Sequence, residues 1–195
     1  MTRTLIFGGA RSGKSACAER LAIESGQEVV YIATARAGDS EMATRIAHHR
    51  RQRPSEWATV EEPLALGDAV RRCCAPGRLV LIDCLTLWLS NLMFSGAAEY
   101  PEVGDIALPA LLHAQRADFL DALEGLDRQG SAAGGDLIVV SNEVGMGIVP
   151  CGAISRCFTD EAGRLNQAVA ARCERVLLIA AGLPLVLKGA PCSPA

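Results

Sequence analysis

Aromatic residues are scarce: four Phe, two Trp and two Tyr make up 4% of the 195 residues, which leaves no obvious stacking platform for a large ring-shaped ligand. An excess of positive charge is missing too. Nineteen Lys and Arg against 22 Asp and Glu give a formal net charge of −3, so no global field draws in a polyanion, and no nucleic-acid partner is expected. No stretch reaches about 18 uninterrupted apolar residues, so no membrane-spanning segment is expected. The opening run from Met1 to Gly9 has neither a long apolar segment nor a small-residue cleavage site, which points to the cytoplasm. The eight cysteines are scattered through apolar stretches without a C-x-x-C pair, and they read as reduced core thiols rather than zinc or redox ligands. Internal repeats and low-complexity blocks are absent.

What is present is a folded chain with enough apolar residues for a core. Half the residues are hydrophobic and 21% are charged, and a chain of this length buries roughly 70% of its unfolded surface. One domain over residues 1–190 is expected, with 191–195 as a frayed, disordered tail. Short β-rich runs alternate with helix-period stretches, the pattern of a mostly parallel sheet flanked by helices. Strands are predicted at Thr4–Phe7, Val29–Ala33, Trp57–Val60, Leu79–Asp83, Leu137–Val140, Val176–Ala180 and Leu185–Leu187. Helices are predicted over about 14–24, 40–53, 85–94, 110–127 and 160–172, with Gly26 stopping the first. The stretch 95–109, rich in Gly, Pro and acidic residues, is expected as a surface loop or lid.

Gly8-Gly9-Ala10-Arg11-Ser12-Gly13-Lys14-Ser15 fits the P-loop pattern G-x-x-x-x-G-K-[ST] between a hydrophobic strand and an amphipathic helix. Glycines let backbone N–H groups turn toward phosphate oxygens, the helix N-terminus adds partial positive charge, Lys14 bridges the terminal phosphates and the Ser15 hydroxyl can ligate Mg2+. Leu79 to Asp83 is a buried strand ending in a carboxylate, so Asp83 is the candidate second metal ligand; capping the next helix is the other reading. A P-loop alone fits a kinase, a switch GTPase or a motor. The switch reading is weakened because Val140-Ser141-Asn142-Glu143 stands where an Asn-Lys-x-Asp guanine reader would.

Residues 39–54 hold two of the three histidines and four arginines. At about 100° per residue, Met42, Ala43, Ile46 and Ala47 centre the apolar face, His49 lies roughly 90° away at its border and His48 roughly 170° away in solvent. His49 can be an ordinary surface residue. It can equally be a neutral imidazole nucleophile toward phosphorus, with guanidinium groups holding the phosphate and disfavouring its protonated form.

Together these residues resemble a known family. Residues 8–15, Tyr31-Ile32-Ala33-Thr34, Glu41-Met42 through His49 to Arg53-Pro54, Trp57, Thr59, Glu61 and Asn142-Glu143-Val144-Gly145-Met146-Gly147-Ile148-Val149-Pro150 are similar to the bifunctional adenosylcobinamide kinase/adenosylcobinamide-phosphate guanylyltransferases of cobalamin biosynthesis. Asp160, Gly163-Arg164 and Asn166-Gln167 continue the likeness. The resemblance implies a RecA-like P-loop fold assembled as a homotrimer. It implies phosphorylation of adenosylcobinamide by ATP or GTP, followed by GMP transfer from GTP through a GMP-histidine intermediate on His49. By the same likeness, Gly8, Gly9, Ala10, Arg11, Ser12, Gly13, Lys14 and Ser15 bind the triphosphate. Ala33, Thr34 and Ala35 line the nucleotide site; Arg50, Arg51, Gln52, Arg53 and Glu61 contact the guanylyl portion; Asp83, with Ser15, completes the Mg2+ site. Glu143 reads as a base or substrate contact, or as a structural carboxylate bonded to the loop backbone at Gly145 and Gly147. His113 reads as an ordinary helix residue.

Overall fold

The computed structural model describes residues 2–36, 53–96, 99–128 and 135–190. Apolar, β-branched runs such as Thr-Leu-Ile-Phe and Leu-Val-Leu-Ile form strands buried on both faces, which is why they read as continuous hydrophobic stretches instead of alternating ones. In chain order the elements are β1 (Arg3–Gly8), α1 (Lys14–Glu24), β2 (Glu28–Ala33), β3 (Ala58–Glu61), α2 (Leu66–Cys73), β4 (Arg78–Asp83), α3 (Leu85–Met93), α4 (Ala110–Arg128), β5 (Asp136–Asn142), α5 (Ala153–Arg172), β6 (Arg175–Ala180) and β7 (Leu183–Lys188).

The strands make one sheet in the order β3-β2-β4-β5-β1-β6-β7. Its pairings are parallel except for β6 with β7, which is antiparallel. The strand carrying Asp83 is thus separated from the P-loop strand by β5. Helix α1 covers one face, packing Cys17, Ala18 and Ala22 on Ile6, Leu81, Val140 and Leu177. Helices α2 to α5 cover the other, where Leu66, Trp88, Phe119 and Leu165 meet Leu5, Ile32, Ile82 and Val139. At its centre Trp88 and Phe119 stack edge to face at 5.2 Å, and the Trp88 indole N–H donates to the Leu64 carbonyl at 2.8 Å. That satisfied donor removes the cost of burying the indole.

Several boundaries differ from expectation. Helix α2 was not anticipated, although its buried residues Leu66, Ala69, Val70 and Cys73 recur at helical spacing. Helix α5 begins at Ala153 rather than near Asp160, because Gly152 provides an extended entry and Ala153, Ile154, Cys157 and Phe158 already pack on the core. The helix expected over 40–53 falls on residues outside those described, except Arg53, which lies in a bend before Pro54. The tail 191–195 also lies outside them. Described residues within 95–109 form neither helix nor strand. The described cysteines are all free thiols, but they are not all core residues: Cys74 and Cys157 are half-buried and Cys151 is exposed.

The sheet's lower edge is held by a charge pair. Arg3, 7% exposed, bonds through its guanidinium and its backbone N–H to Glu174, which is partly exposed. Burial pushes the Glu174 carboxyl up, but the hydrogen bonds and charge of Arg3 outweigh it and hold the carboxyl below its ordinary 4.5. A depressed carboxyl contributes stability that is present above its unfolded pKa and lost as pH falls through the folded one. Glu174→Gln is therefore expected to lower unfolding free energy at neutral pH by about 1 kcal/mol, scaled down from a fully buried pair because Glu174 faces solvent. Urea melts at pH 7 and at progressively acidic pH should show the gap between wild type and variant closing below the unfolded carboxyl range.

Candidate active site

The parallel register aligns the carboxyl ends of the strands. Ala33 pairs with Glu61 on one side and Asp83 on the other, Asp83 pairs with Val140, and Asn142 pairs with Gly8. This edge is where open parallel sheets bind ligands.

From Gly8 the chain turns into the P-loop. The Ser12 N–H donates to Gly9 O at 3.2 Å, the Cys17 N–H to Gly13 O at 2.9 Å, and the Gly182 N–H, from the β6–β7 turn, to Ser12 O at 2.8 Å. Gly13 has φ +93°, a conformation open mainly to glycine, and a Cβ there would sit 3.1 Å from Gly182 Cα. At Gly8 a Cβ would lie 2.3 Å from the Ile179 carbonyl oxygen. Arg11 holds φ 56°, a left-handed conformation uncommon for a long side chain. Two polar groups are held in reserve: the Ser12 hydroxyl is buried without a partner, and Lys14, 9% exposed, donates among the described residues to Gly9 O alone, at 3.2 Å. A cradle with an unused hydroxyl and a buried ammonium at a helix N-terminus suits an anion.

Asp83 ends β4, half-buried, and does not cap the next helix, whose N-cap is Cys84 with no side-chain cap bond. Thr34 is fully buried and spans to the chain just past Asp83: its hydroxyl accepts from Cys84 N at 2.9 Å and donates to Cys84 O at 2.8 Å, while its N–H donates to Asp83 O at 3.3 Å. Asn91 in turn donates to Thr34 O at 2.7 Å and Pro63 O at 3.1 Å. The Thr34 side chain thus fixes the carboxylate's backbone, and Ala33 and Ala35 flank it half-buried. Ser15 on the first turn of α1 and Asp83 offer hard oxygen donors, which fit Mg2+.

Next to Asp83 lies a cluster that motif reading missed. The guanidinium of Arg53 sits 3.4 Å from the centroid of the Tyr31 ring. Burial pushes the Tyr31 phenol far up, with the charge of Asp83 adding to it and Arg53 opposing. Burial also raises the Glu19 carboxyl, which Arg53 lowers and Asp83 raises. Glu19, Tyr31, Arg53 and Asp83 therefore share one electrostatic neighbourhood on the α1 side of the sheet. No local signal in the sequence pairs Tyr31 with Arg53, since they meet only through strand packing.

The strand between P-loop and carboxylate carries its own polar brace. Asn142 donates to the Thr86 hydroxyl and lies 3.8 Å from Cys84 Sγ; Asn166 donates to Asn142 O at 3.1 Å and accepts from the Ser141 hydroxyl at 2.6 Å. Burial pushes the Cys84 thiol up to about 11, so it stays protonated near neutral pH. Glu143 takes the structural form of its two readings at Gly145, whose N–H donates to Glu143 Oε1 at 2.6 Å, and its own N–H donates to Gly8 O at 3.0 Å. Arg164 is exposed and pairs with the buried Glu161 at 2.5 Å, and His113 is an exposed residue of α4. His48, His49, Arg50, Arg51 and Gln52 lie outside the described residues.

Comparison with known proteins agrees with this geometry. The family model described as "Cobinamide kinase / cobinamide phosphate guanyltransferase" matches residues 4–187. The chain is 52% identical to the "Bifunctional adenosylcobalamin biosynthesis protein CobP" of Pseudomonas aeruginosa, covering 97% of this chain and 99% of that protein. It is 40% identical to the Escherichia coli protein of the same description, CobU, covering 94% and 98%. Among solved structures, the flagellar accessory protein FlaH from Methanocaldococcus jannaschii has a TM-score of 0.48 at 11% identity, covering 96% of this chain and 78% of that one. With a family model spanning residues 4–187 and relatives 52% and 40% identical over nearly their whole length, the chain belongs to the cobinamide kinase/cobinamide phosphate guanyltransferase family.

Proposed function

We propose that this protein carries out two successive transfers in cobalamin biosynthesis: phosphorylation of adenosylcobinamide by ATP or GTP, then GMP transfer from GTP to the resulting phosphate through a GMP-His49 intermediate. The observation that carries this reading is the formed phosphate cradle of residues 8–15 within a chain 52% identical to a bifunctional adenosylcobalamin biosynthesis protein.

In the first transfer the substrate hydroxyl oxygen bonds to the γ-phosphorus, its proton leaves, and the β–γ bridge breaks to release the nucleoside diphosphate. Lys14, the unpartnered Ser12 hydroxyl and the loop N–H groups hold the phosphate charge. In the second, a neutral His49 nitrogen bonds to the α-phosphorus of GTP and pyrophosphate leaves. The phosphate of adenosylcobinamide phosphate then attacks the same phosphorus, the P–N bond breaks and the imidazole is restored. Mg2+, held by Ser15 and Asp83, would neutralise phosphate charge. His49 stands four residues ahead of Arg53, and four extended residues span at most about 14 Å, so the covalent chain allows it to reach the edge where Arg53 and Asp83 lie. Arg50, Arg51, Gln52, Arg53 and Glu61 are assigned to the guanylyl portion on the family likeness. The proposal includes the family's trimeric assembly in the cytoplasm; exposed Leu183, Leu185 and Leu187 along β7 offer an apolar contact surface for it.

The two transfers require different phosphorus atoms in line with their acceptors, so the triphosphate is held differently in each or the histidine segment moves. The test is incubation with GTP labelled at the α-phosphate. A labelled protein adduct that is acid-labile and alkali-stable is expected; an unlabelled protein that still phosphorylates adenosylcobinamide would reduce the assignment to a kinase.

A further inference from the structure

Arg53 occupies an unusual position for a cation. Its Nε and Nη1 are buried and have no hydrogen-bond partner, a costly state for charged donors. What holds it is the Tyr31 ring, 3.4 Å below the guanidinium carbon, together with the nearby carboxylates Glu19 and Asp83. Tyr31 is itself 2% exposed. It is locked in β2 between Thr59 of β3 and Leu81 of β4, so the ring is part of the rigid sheet.

We propose that Tyr31 is a positioning residue for guanylyl transfer: its ring is the platform that holds Arg53 beside Asp83, with two N–H donors kept free for a nucleotide phosphate. A planar guanidinium stacks flat on an aromatic face while its edge donors remain available to a phosphate, an arrangement an ammonium cannot reproduce. Arg53 also follows His49 by four residues. Stacking on a strand residue fixes Arg53 itself at the edge of the sheet where Asp83 lies. Glu19 and Asp83 supply charge that keeps the guanidinium in place before the anion arrives. This inference rests on His49 acting as the guanylyl acceptor.

The experiment is rapid-quench measurement of adduct formation from α-labelled GTP. Tyr31→Met keeps a flexible apolar side chain in the core but removes the ring. It is expected to slow adduct formation about 30-fold, with the Michaelis constant for GTP moved less than about threefold. Tyr31→Phe keeps the ring and removes only the phenol's hydrogen bond to Asp83, so it is expected to lose several-fold less than Tyr31→Met. Arg53→Met should slow the step as well, and the Tyr31→Met/Arg53→Met double variant should be no slower than Arg53→Met alone, since the ring acts through the guanidinium. If Tyr31→Met fails to fold, Arg53→Lys carries the test: it keeps the charge, loses the flat stack and should show a comparable loss. Equal rates for wild type and Tyr31→Met overturn the inference. So do equal losses in Tyr31→Phe and Tyr31→Met, additive losses in the double variant, or a wild-type rate in Arg53→Lys. Absence of adduct in the wild type instead overturns the histidine reading on which the inference stands.

Discussion

His49→Ala is expected to abolish the labelled adduct and to lower guanylyl transfer by at least about a thousandfold, since the step loses its nucleophile. Product analysis should then stop at adenosylcobinamide phosphate, because phosphoryl transfer requires the P-loop and not the imidazole. His48→Ala serves as the control: the helical wheel turns it roughly 80° further from the apolar face, and it should retain adduct formation. A His49→Ala protein that still makes adenosyl-GDP-cobinamide at a wild-type rate would remove the covalent route altogether.

Lys14→Met is expected to affect both transfers. The lysine is almost fully buried at the first turn of α1, and among the described residues its ammonium reaches the Gly9 carbonyl of its own loop and no carboxylate, which leaves its charge for a ligand. Removing a preorganised cation from a phosphoryl-transfer site costs on the order of 10²- to 10³-fold in rate. Methionine fills much the same space without charge, so stability should be unchanged or improved while nucleotide affinity falls. Calorimetric titration with GTP, paired with thermal melting, separates these effects. Intact binding by Lys14→Met would show that the cradle works through backbone and Ser12 alone.

The P-loop could be read directly because all of its determinants are contiguous: glycines where the turn needs them, a lysine and a hydroxyl at the helix start, an apolar strand before and an apolar stripe after. Asp83 could be read from the strand it ends. Helix α2 carried the same kind of signal in Leu66, Ala69, Val70 and Cys73, but its short length and the neighbouring Pro63 and Gly67 masked it. The first turns of α5 were missed because the expected helix began near Asp160, although Ile154, Cys157 and Phe158 already form a helical stripe. The contribution of Thr34 was beyond local reading. Its hydroxyl bonds to the backbone of Cys84, fifty residues away, and so secures the strand that carries the carboxylate. The Tyr31–Arg53 stack is of the same kind, since it depends on which strands become neighbours and no period or spacing encodes that.

The order of strands also bears on how the molecule is made. β1 pairs with residues 137–142 on one side and 175–179 on the other, both far downstream of it in the chain. Until β5 and β6 have been synthesised, that strand has no partner to join, and pairings of such long sequence separation are slow to close. A nascent chain thus displays the nucleotide motif long before it possesses a nucleotide site, and a bound nucleotide can stabilise only polypeptides in which β5 and β6 have already been synthesised.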